Sequence, residues 1–295
     1  MRIAILSRKS RLFSNAALRK AATSRGHSVV TLDPINLHFS LGGERPEIFD
    51  RSRRLKPFDA MIPRIQPNDP YGLASIEHFE LTGSFVLNNG RAVALAHDKF
   101  NSLQAMAKVG IPIPPTVLLK HPLSVPSALK EIGGLPAIFK PLGGAQGMGV
   151  ILIESEAAAN SLVGLGWEWN QPCLLQKFYA EAAGADLRFI VIGGDVVAAM
   201  KRVAKKGDWR ANFHSGGKGE AYNPTAYDKH LASKSAKAIG LNFCGVDILF
   251  TNNGLVVVEV NASPGLQEIT RATGVDVAGE LINFIESRAS SINHK

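Results

Sequence analysis

Two apolar segments near the C-terminus, residues 246–250 and 255–261, flank the turn sequence Thr251-Asn252-Asn253-Gly254. Short runs rich in Val, Ile and Leu on both sides of an Asn-Gly turn are a strong signal for a β-hairpin. Each predicted strand is otherwise apolar but carries one acid, Asp247 in the first and Glu259 in the second. Because a buried carboxylate needs a compensating partner, we expect this hairpin to be a functional element as well as part of the core.

The register of this hairpin depends on the length of its turn. A two-residue turn at 253–254 places Asp247 opposite Val260, so the two acids lie on opposite faces. A three-residue loop at 252–254, with its glycine in the left-handed conformation, places Asp247 directly opposite Glu259, with Cβ atoms about 5 Å apart. We predict the second register, because the two acids then share one face.

A third polar side chain, Asn261, lies two residues beyond Glu259 and therefore shares its face of the strand. Facing carboxylates repel unless a cation lies between them, and carboxylate and amide oxygens are hard ligands that suit magnesium or manganese. A second interpretation stays open, in which one acid is protonated or pairs with a basic side chain. The hairpin is a candidate metal site with Asp247, Glu259 and Asn261 as ligands.

Residues 138–150 read as a strand, a loop with four glycines and a second strand. Glycines allow backbone N–H groups to approach phosphate oxygens without obstruction by side chains. Lys140, at the end of the first strand, would supply positive charge to the same phosphates. No Gly-Lys-Ser/Thr leads into a helix, so this is not a Walker loop. The alternative is a glycine-rich hairpin that serves only as a turn.

Residues 201–217 follow a predicted strand and are dense in positive charge and hydrogen-bond donors. Such a loop suits a triphosphate and a second anion. Two alternatives stay open: an RNA-binding patch with Trp209 and Phe213 as stacking platforms, and a run of charges that only contacts solvent.

The first third of the chain alternates predicted strands with predicted helices. The strands are 2–6, 28–32, 59–63 and 85–87, and the helices are 16–25 and 76–82. This order is typical of a parallel α/β unit. Because no G-x-G-x-x-G follows the first strand, the sequence argues against a Rossmann dinucleotide site.

The remaining two thirds combine helices with strands that read as antiparallel. The predicted strands are 135–141, 150–153, 173–176 and a set between 186 and 261, and the predicted helices are 99–109, 157–165, 227–239 and 277–289. The fold class is therefore α/β followed by α+β. We predict three units, residues 1–95, 96–175 and 176–290.

The composition narrows the class of partner and the compartment. Lys and Arg total 33 against 25 Asp and Glu, a formal net charge of +8, which favours anionic partners or serves solubility alone. Cys173 and Cys244 stand among apolar neighbours and read as buried thiols in a reducing compartment. Because no stretch approaches the roughly 20 apolar residues that span a bilayer, we expect a cytoplasmic protein that binds no membrane.

Seven motifs stand in a fixed order along nearly the whole chain. They are Asp59-Ala60-Met61-Ile62-Pro63-Arg64-Ile65, Asp98-Lys99, Gln146-Gly147-Met148-Gly149-Val150, Gly184-Ala185-Asp186-Leu187-Arg188, Gly207-Asp208-Trp209-Arg210-Ala211-Asn212, Gly245-Val246-Asp247-Ile248-Leu249 and Glu259-Val260-Asn261-Ala262-Ser263-Pro264-Gly265-Leu266. In this order they resemble the ATP-grasp superfamily, and more closely its RimK family, which adds glutamate to the C-terminus of the sixth small-subunit ribosomal protein. The resemblance implies an ATP-grasp fold preceded by a parallel α/β pre-ATP-grasp domain.

The resemblance also implies roles for individual residues. The ATP-binding residues it implies are Lys99, Lys140, Gly147, Gly149, Lys177, Phe178, Asp186, Arg210, Ala211 and Asn212. The metal ligands are Asp247, Glu259 and Asn261, for two magnesium or manganese ions, and the catalytic residues are Arg202 and Arg210. One departure is Lys177, which stands where the family usually has an acid; a backbone contact to adenine survives this change.

The activity implied by the resemblance is ATP-dependent ligation of a carboxylate to an amine through an acyl-phosphate. The implied partners are L-glutamate and the acidic C-terminal tail of a small-subunit ribosomal protein, in a homo-oligomeric enzyme without direct nucleic-acid binding. One alternative is a ligase that acts on a small cofactor or a peptide. Another is a non-catalytic, ATP-binding module associated with the ribosome.

Overall fold

The computed structural model describes residues 1–65, 69–142, 149–205, 207–210 and 217–292. The strands are β1 Arg2–Leu6, β2 Ser28–Leu32, β3 Leu37–Ser40, β4 Glu47–Asp50, β5 Arg53–Arg54, β6 Ala60–Pro63, β7 Phe85–Val86, β8 Thr116–Leu119, β9 Ala137–Pro141, β10 Ile151–Ile153, β11 Cys173–Lys177, β12 Ala185–Ile192, β13 Asp195–Val203, β14 Lys218–Ala221, β15 Phe243–Thr251 and β16 Gly254–Asn261. The α-helices are α1 Phe13–Ser24, α2 Pro70–Leu81, α3 Gly90–His97, α4 Lys99–Lys108, α5 Val125–Glu131, α6 Glu156–Glu168, α7 Ala226–Ile239, α8 Gln267–Thr273 and α9 Val277–Ile292.

The first third folds into a four-stranded sheet with the order β2-β1-β6-β7, in which all pairs are parallel. This confirms the predicted parallel α/β unit. The helix α1 packs on the face that carries Ile3 and Ile5, whereas α2 packs on the face that carries Ala4 and Leu6. The helices that follow β1 and β6 therefore lie on opposite faces of the sheet.

Two parts of this region differ from the prediction. The segments β3, β4 and β5 form a small antiparallel sheet. The sequence pattern did not predict these strands, because none of them is a long apolar run. The helix α2 begins at Pro70 rather than at residue 76, because Asp69 caps it by accepting a hydrogen bond from the Gly72 N–H. Proline suits the first turn of a helix, where its missing N–H would have no partner.

The middle of the chain forms an antiparallel four-stranded sheet with the order β10-β9-β11-β8. Its apolar core is its own, drawn from residues between 119 and 175. The core includes Val163 of α6 and Cys173, whose thiol is free and buried as predicted. We call β8–β11 with α5 and α6 the central unit.

The last third forms an antiparallel five-stranded sheet with the order β14-β13-β12-β15-β16. Each face packs on a core that also contains residues of the N-terminal sheet. Asn88, which follows β7, links the two sheets by hydrogen bonds. Its side chain donates to the carbonyl oxygens of Phe243 and Ala262 and accepts from the Asn242 N–H. The unit boundaries at residues 95 and 175 stay a prediction. No helix in the described ranges is long and apolar enough to cross a bilayer.

Candidate active site on the C-terminal sheet

Five charged side chains form a row across one face of the C-terminal sheet. Arg202 on β13 lies opposite Asp186 on β12, Arg188 on β12 lies opposite Asp247 on β15, and Asp247 lies opposite Glu259 on β16. Successive side chains on a strand alternate between faces, so all five share one face. We call this set the charge row.

The hairpin register brings the two predicted metal-binding acids together, but not by the predicted turn. The two residues between paired Thr251 and Gly254 form the turn, and the ladder shifts by one residue beside Asp247, with Val258 as the extra residue. This β-bulge, rather than a three-residue loop, restores the pairing of Asp247 with Glu259. Bulges of this kind commonly re-aim side chains next to active sites.

Asp247 is buried and has two guanidinium partners. Arg188 donates from Nε and Nη2 to its two oxygens, the second over 2.7 Å, and Arg202 Nη2 lies 3.0 Å from Oδ2. Although burial opposes ionisation, the two arginines hold the pKa of Asp247 below its usual value. Asn261 Nδ2 lies 3.5 Å from the same oxygen, at the limit of a hydrogen bond.

Arg202 is also held by Asp186 through two parallel hydrogen bonds of 2.6 Å and 2.5 Å. Only 5% of Arg202 is exposed, and the charges of Asp247 and Asp186 outweigh the effect of burial and raise its pKa. Burial, with added repulsion from Asp247, raises the pKa of Asp186. Both oxygens of Asp186 are thus engaged by Arg202, and the contact of Asp186 with ATP stays a prediction.

Glu259 differs from Asp247, because its carboxylate makes no hydrogen bond or ion pair within the described ranges. It is solvent-accessible, yet partial loss of water around it and repulsion from Asp247 raise its pKa. The side-chain oxygens of Asp247, Glu259 and Asn261 fit a divalent cation, which would offset the negative charge of this pair.

Two lysines face this charge from the central unit and from α4. Burial lowers the pKa of Lys140 to about 8, an effect opposed by Glu259, and its Nζ donates to Gln176 Oε1 over 2.6 Å. Burial also lowers the pKa of Lys99, again opposed by Glu259. Lys99 Nζ donates to the carbonyl oxygens of Pro141 and Leu142, each over 3.0 Å. Both lysines therefore lie beside the carboxyl end of β9.

Lys177 and Phe178, which are predicted to contact adenine through their backbone, lie at and just beyond the end of β11. The Lys177 N–H donates to the Pro115 carbonyl oxygen over 2.9 Å. The Phe178 N–H makes no hydrogen bond within the described ranges, which leaves it available to a ligand. The Phe178 ring contacts the Trp209 ring edge-on, with centroids 6.0 Å apart, so Phe178 adjoins the segment that follows β13.

The loops predicted to contact ATP are partly described. Gly149 has a φ of +77°, and a Cβ there would lie 2.8 Å from Pro141 Cγ, so this position requires glycine. The side chain of Arg210 is 40% exposed and pairs with Asp208 over 3.2 Å. Gly147, Ala211 and Asn212 lie outside the described residues.

Arg188 is a site residue that the sequence prediction missed. It stands inside the motif that contains Asp186, two residues further along the same strand, and therefore on the same face. This period-2 relation is the signal that would have placed it opposite Asp247.

Comparison with known proteins identifies the family and the fold. Residues 1–93 match the family model of the RimK PreATP-grasp domain, and residues 96–285 match that of the RimK-like ATP-grasp domain. A crystal structure of a RimK domain protein ATP-grasp from Sphaerobacter thermophilus has a TM-score of 0.74 and 25% identity, over 97% of this chain and 100% of that one. The fold is thus an ATP-grasp fold with a pre-ATP-grasp domain.

Two relatives align with the chain over almost its full length. A probable alpha-L-glutamate ligase of Thioalkalivibrio sulfidiphilus is 45% identical over 290 residues, 98% of this chain and 96% of that protein. A ribosomal protein bS6–L-glutamate ligase of Salmonella paratyphi B is 43% identical over 291 residues, 98% of this chain and 97% of that protein. The chain therefore belongs to the RimK family of ATP-grasp proteins and is an ATP-dependent carboxylate–amine ligase.

Proposed function

We propose that this ligase adds L-glutamate to the C-terminal carboxylate of a small-subunit ribosomal protein through an acyl-phosphate. The observation that carries the proposal is the charge row, which sets a candidate metal site beside two fixed guanidinium groups. The name of the Salmonella relative, a ligase of glutamate to bS6, supports the choice of both substrates.

ATP lies, in this proposal, between the central unit and the C-terminal sheet. Lys99 and Lys140 supply positive charge to its phosphates, and their hydrogen bonds to protein oxygens hold both ammonium groups near Glu259. The Phe178 N–H binds the edge of adenine, since the Lys177 N–H is already bonded to Pro115. The Gly149 turn and the loop of Arg210 lie against the phosphates.

Asp247, Glu259 and Asn261 would hold two magnesium or manganese ions. When bound, these ions supply positive charge that neutralises the phosphoryl oxygens. The Glu259 carboxylate supports this assignment, because in the part of the chain that the structure describes it has no hydrogen-bond or ion-pair partner, and basic side chains offset its charge only at a distance. Asp247 would share its oxygens with Arg188 and Arg202.

The reaction needs no covalent enzyme intermediate. An oxygen of the acceptor carboxylate attacks the γ-phosphorus of ATP, the bond to the departing ADP oxygen breaks, and an acyl-phosphate forms. The glutamate amine then attacks the acyl carbon, phosphate leaves with the bonding electron pair, and the amine loses a proton. Arg202, fixed by Asp186 and Asp247, and Arg210 supply positive charge beside the transferred group, so catalysis rests on positioning and electrostatics.

Exposed basic residues beside the site suit an acidic acceptor. Lys201 and Lys205 lie on and just beyond β13, Lys218 lies on the paired β14, and all three are exposed. Charge of this sign attracts a tail that carries carboxylates, and each added glutamate leaves the product acidic. We therefore propose that several residues are added to one tail.

The test is the intact mass of ribosomal protein S6 after incubation with the enzyme, ATP, magnesium and glutamate. We expect a mass increase of one or more glutamyl residues that depends on ATP. A mass that stays unchanged, while phosphate is released with a small cofactor or peptide as acceptor, would replace this proposal by the alternative ligase.

A further inference from the structure

Arg64 is a half-buried arginine that the proposed reaction does not use. It follows β6 directly, and its backbone N–H donates to the Leu6 carbonyl oxygen over 2.8 Å. Its Nη1 donates to the Pro264 carbonyl oxygen, also over 2.8 Å. A guanidinium has five N–H donors, and the side chain makes no other hydrogen bond and no ion pair within the described ranges.

The position of Arg64 in the N-terminal sheet is that of a ligand site. In the order β2-β1-β6-β7, the helix after β1 and the helix after β6 lie on opposite faces. The carboxyl ends of β1 and β6 therefore form a topological switch point, and in open α/β sheets ligands bind in the crevice at such a point. Arg64 is the first residue after β6 at this edge.

This crevice adjoins the charge row. A Cβ placed on Gly245 would lie 2.9 Å from Arg188 Nη1 and 3.0 Å from Pro264 Cβ, so Arg188 and Pro264 are neighbours above the same point of β15. Pro264 is the residue whose carbonyl oxygen accepts from Arg64. Pro264 therefore lies between the Arg64 guanidinium and Arg188, the arginine that is hydrogen-bonded to both oxygens of Asp247.

Within the described ranges, no acidic side chain forms an ion pair with Arg64. Burial lowers its pKa to about 10. The two arginine-bound acids of the charge row, Asp186 and Asp247, are already bonded to Arg202 and Arg188. A desolvated cation without an anion is unfavourable, and a planar guanidinium binds a carboxylate through two parallel hydrogen bonds.

We propose that Arg64 binds a carboxylate of a substrate in the crevice between β1 and β6. The inference rests on the proposed function, in which two carboxylate-bearing substrates, the amino acid and the acceptor tail, meet beside the charge row. Both present the same chemistry to Arg64. The anchored carboxylate holds its substrate against the pre-ATP-grasp domain while the reacting group faces Asp247.

The test compares Arg64→Gln and Arg64→Lys with wild type by KM for glutamate, for the acceptor and for ATP. We expect Arg64→Gln to raise the KM of one carboxylate substrate about 10- to 100-fold, because a charged, paired hydrogen bond is lost. Arg64→Lys keeps the positive charge but loses the two parallel N–H donors of the guanidinium, so its KM should lie between those of wild type and Arg64→Gln. The substrate whose KM changes is the one that Arg64 binds. The KM for ATP stays within about threefold in both variants.

The matched control is Arg25→Gln. Like Arg64, Arg25 connects the N-terminal unit to the C-terminal part of the chain, in this case to Glu286 Oε2 of α9 over 3.2 Å, but it follows α1 at the opposite end of the sheet from Arg64. It is expected to leave all three KM values unchanged. Unchanged carboxylate KM values in Arg64→Gln, or a common rise of all three KM values together with a lower Tm, would overturn the inference in favour of a structural role.

The outcome is separable from that of the proposed function. If wild-type enzyme adds no glutamate to ribosomal protein S6, the proposed substrates are wrong. The role of Arg64 is then decided by the same KM comparison with whichever carboxylate and amine support ATP-dependent phosphate release.

Discussion

Arg188 and Asp247 face each other across β12 and β15, and the guanidinium donates from Nε and Nη2 to the two carboxylate oxygens. Arg202 approaches the same carboxylate from β13, with Nη2 3.0 Å from Oδ2. Glu259, which pairs with Asp247 from β16, has no such partner within the described ranges. The two acids of the candidate metal site therefore lie in opposite electrostatic environments, and substitutions at them are expected to differ.

Asp247→Asn is expected to destabilise the metal-free protein by about 3 kcal/mol, because it leaves the Arg188 guanidinium without its anion and removes one of the two anions of Arg202. It should also lower turnover at least about 100-fold in saturating magnesium. Denaturant unfolding in the presence of a chelator measures the first effect. Asp195→Asn, at an exposed position on β13, is the control. A loss of less than about 0.5 kcal/mol would show that the arginines do not depend on Asp247.

Glu259→Gln is expected to abolish turnover equally but to leave the metal-free protein as stable or more stable at neutral pH. The pKa of Glu259 is raised in the folded state, so its ionised form opposes folding, and this cost grows as pH rises above the unfolded value. The neutral glutamine removes the cost. Unfolding curves at pH 7 without metal, with Glu220→Gln on β14 as control, measure the difference. A clear loss of stability would mean that Glu259 has a stabilising cation partner.

The affinity for ATP is expected to fall as pH rises through about 8, where Lys140 loses its proton. The charged ammonium binds phosphate oxygens and the neutral amine does not, so the dissociation constant increases with pH. Equilibrium binding of a non-hydrolysable ATP analogue between pH 7 and 9.5 measures the effect. Lys140→Arg keeps its charge throughout this range, so its profile should be flat. A similar slope in both proteins would assign the titration to another group.

The double substitution Lys205→Ala with Lys206→Ala is expected to raise the acceptor KM several-fold and to leave the KM for ATP unchanged. Exposed charges attract an acidic tail over a screening length of about 8 Å at physiological ionic strength. The wild-type acceptor KM should therefore rise with salt, and the variant should show a weaker dependence. Lys20→Ala with Lys108→Ala, at exposed positions on α1 and α4, is the control. An unchanged acceptor KM in Lys205→Ala with Lys206→Ala would place the tail elsewhere.

Patterning predicts the strands whose apolar character is continuous. β1 and β2 begin and end at the predicted residues, because each is a short apolar run bounded by polar residues. The strands β3 to β5 were missed, since a sequence such as Leu37-His38-Phe39-Ser40 has no strong period and depends on contacts with distant residues. The helix α3 was missed too, because its first residue, Gly90, reads as a turn.

At the site, the sequence predicts correctly that Asp247 and Glu259 face each other, but it does not predict the backbone geometry that brings them together. The facing of Asp247 and Glu259 is confirmed, but the bulge at Val258 that produces it leaves no local signal in an apolar run. Arg188 and the arginine pairing of Asp247 depend on the order of strands in the sheet, which one sequence does not specify. The resemblance to the RimK family is confirmed by the family models; the individual ATP and metal roles stay predictions.

The central unit has an apolar core of its own, so its stability is thermodynamically linked to nucleotide binding. Lys140 belongs to this unit and Phe178 directly follows its last strand, whereas the carboxylates belong to the sheet that shares its cores with the N-terminal domain. A nucleotide that contacts both the central unit and the C-terminal sheet would raise the free energy needed to separate the two, because separation breaks the contacts of the nucleotide. Local unfolding of β8–β11 must then break ligand contacts as well as its own core. Nucleotide binding would therefore slow amide hydrogen exchange throughout the central sheet, including strands that do not contact the ligand.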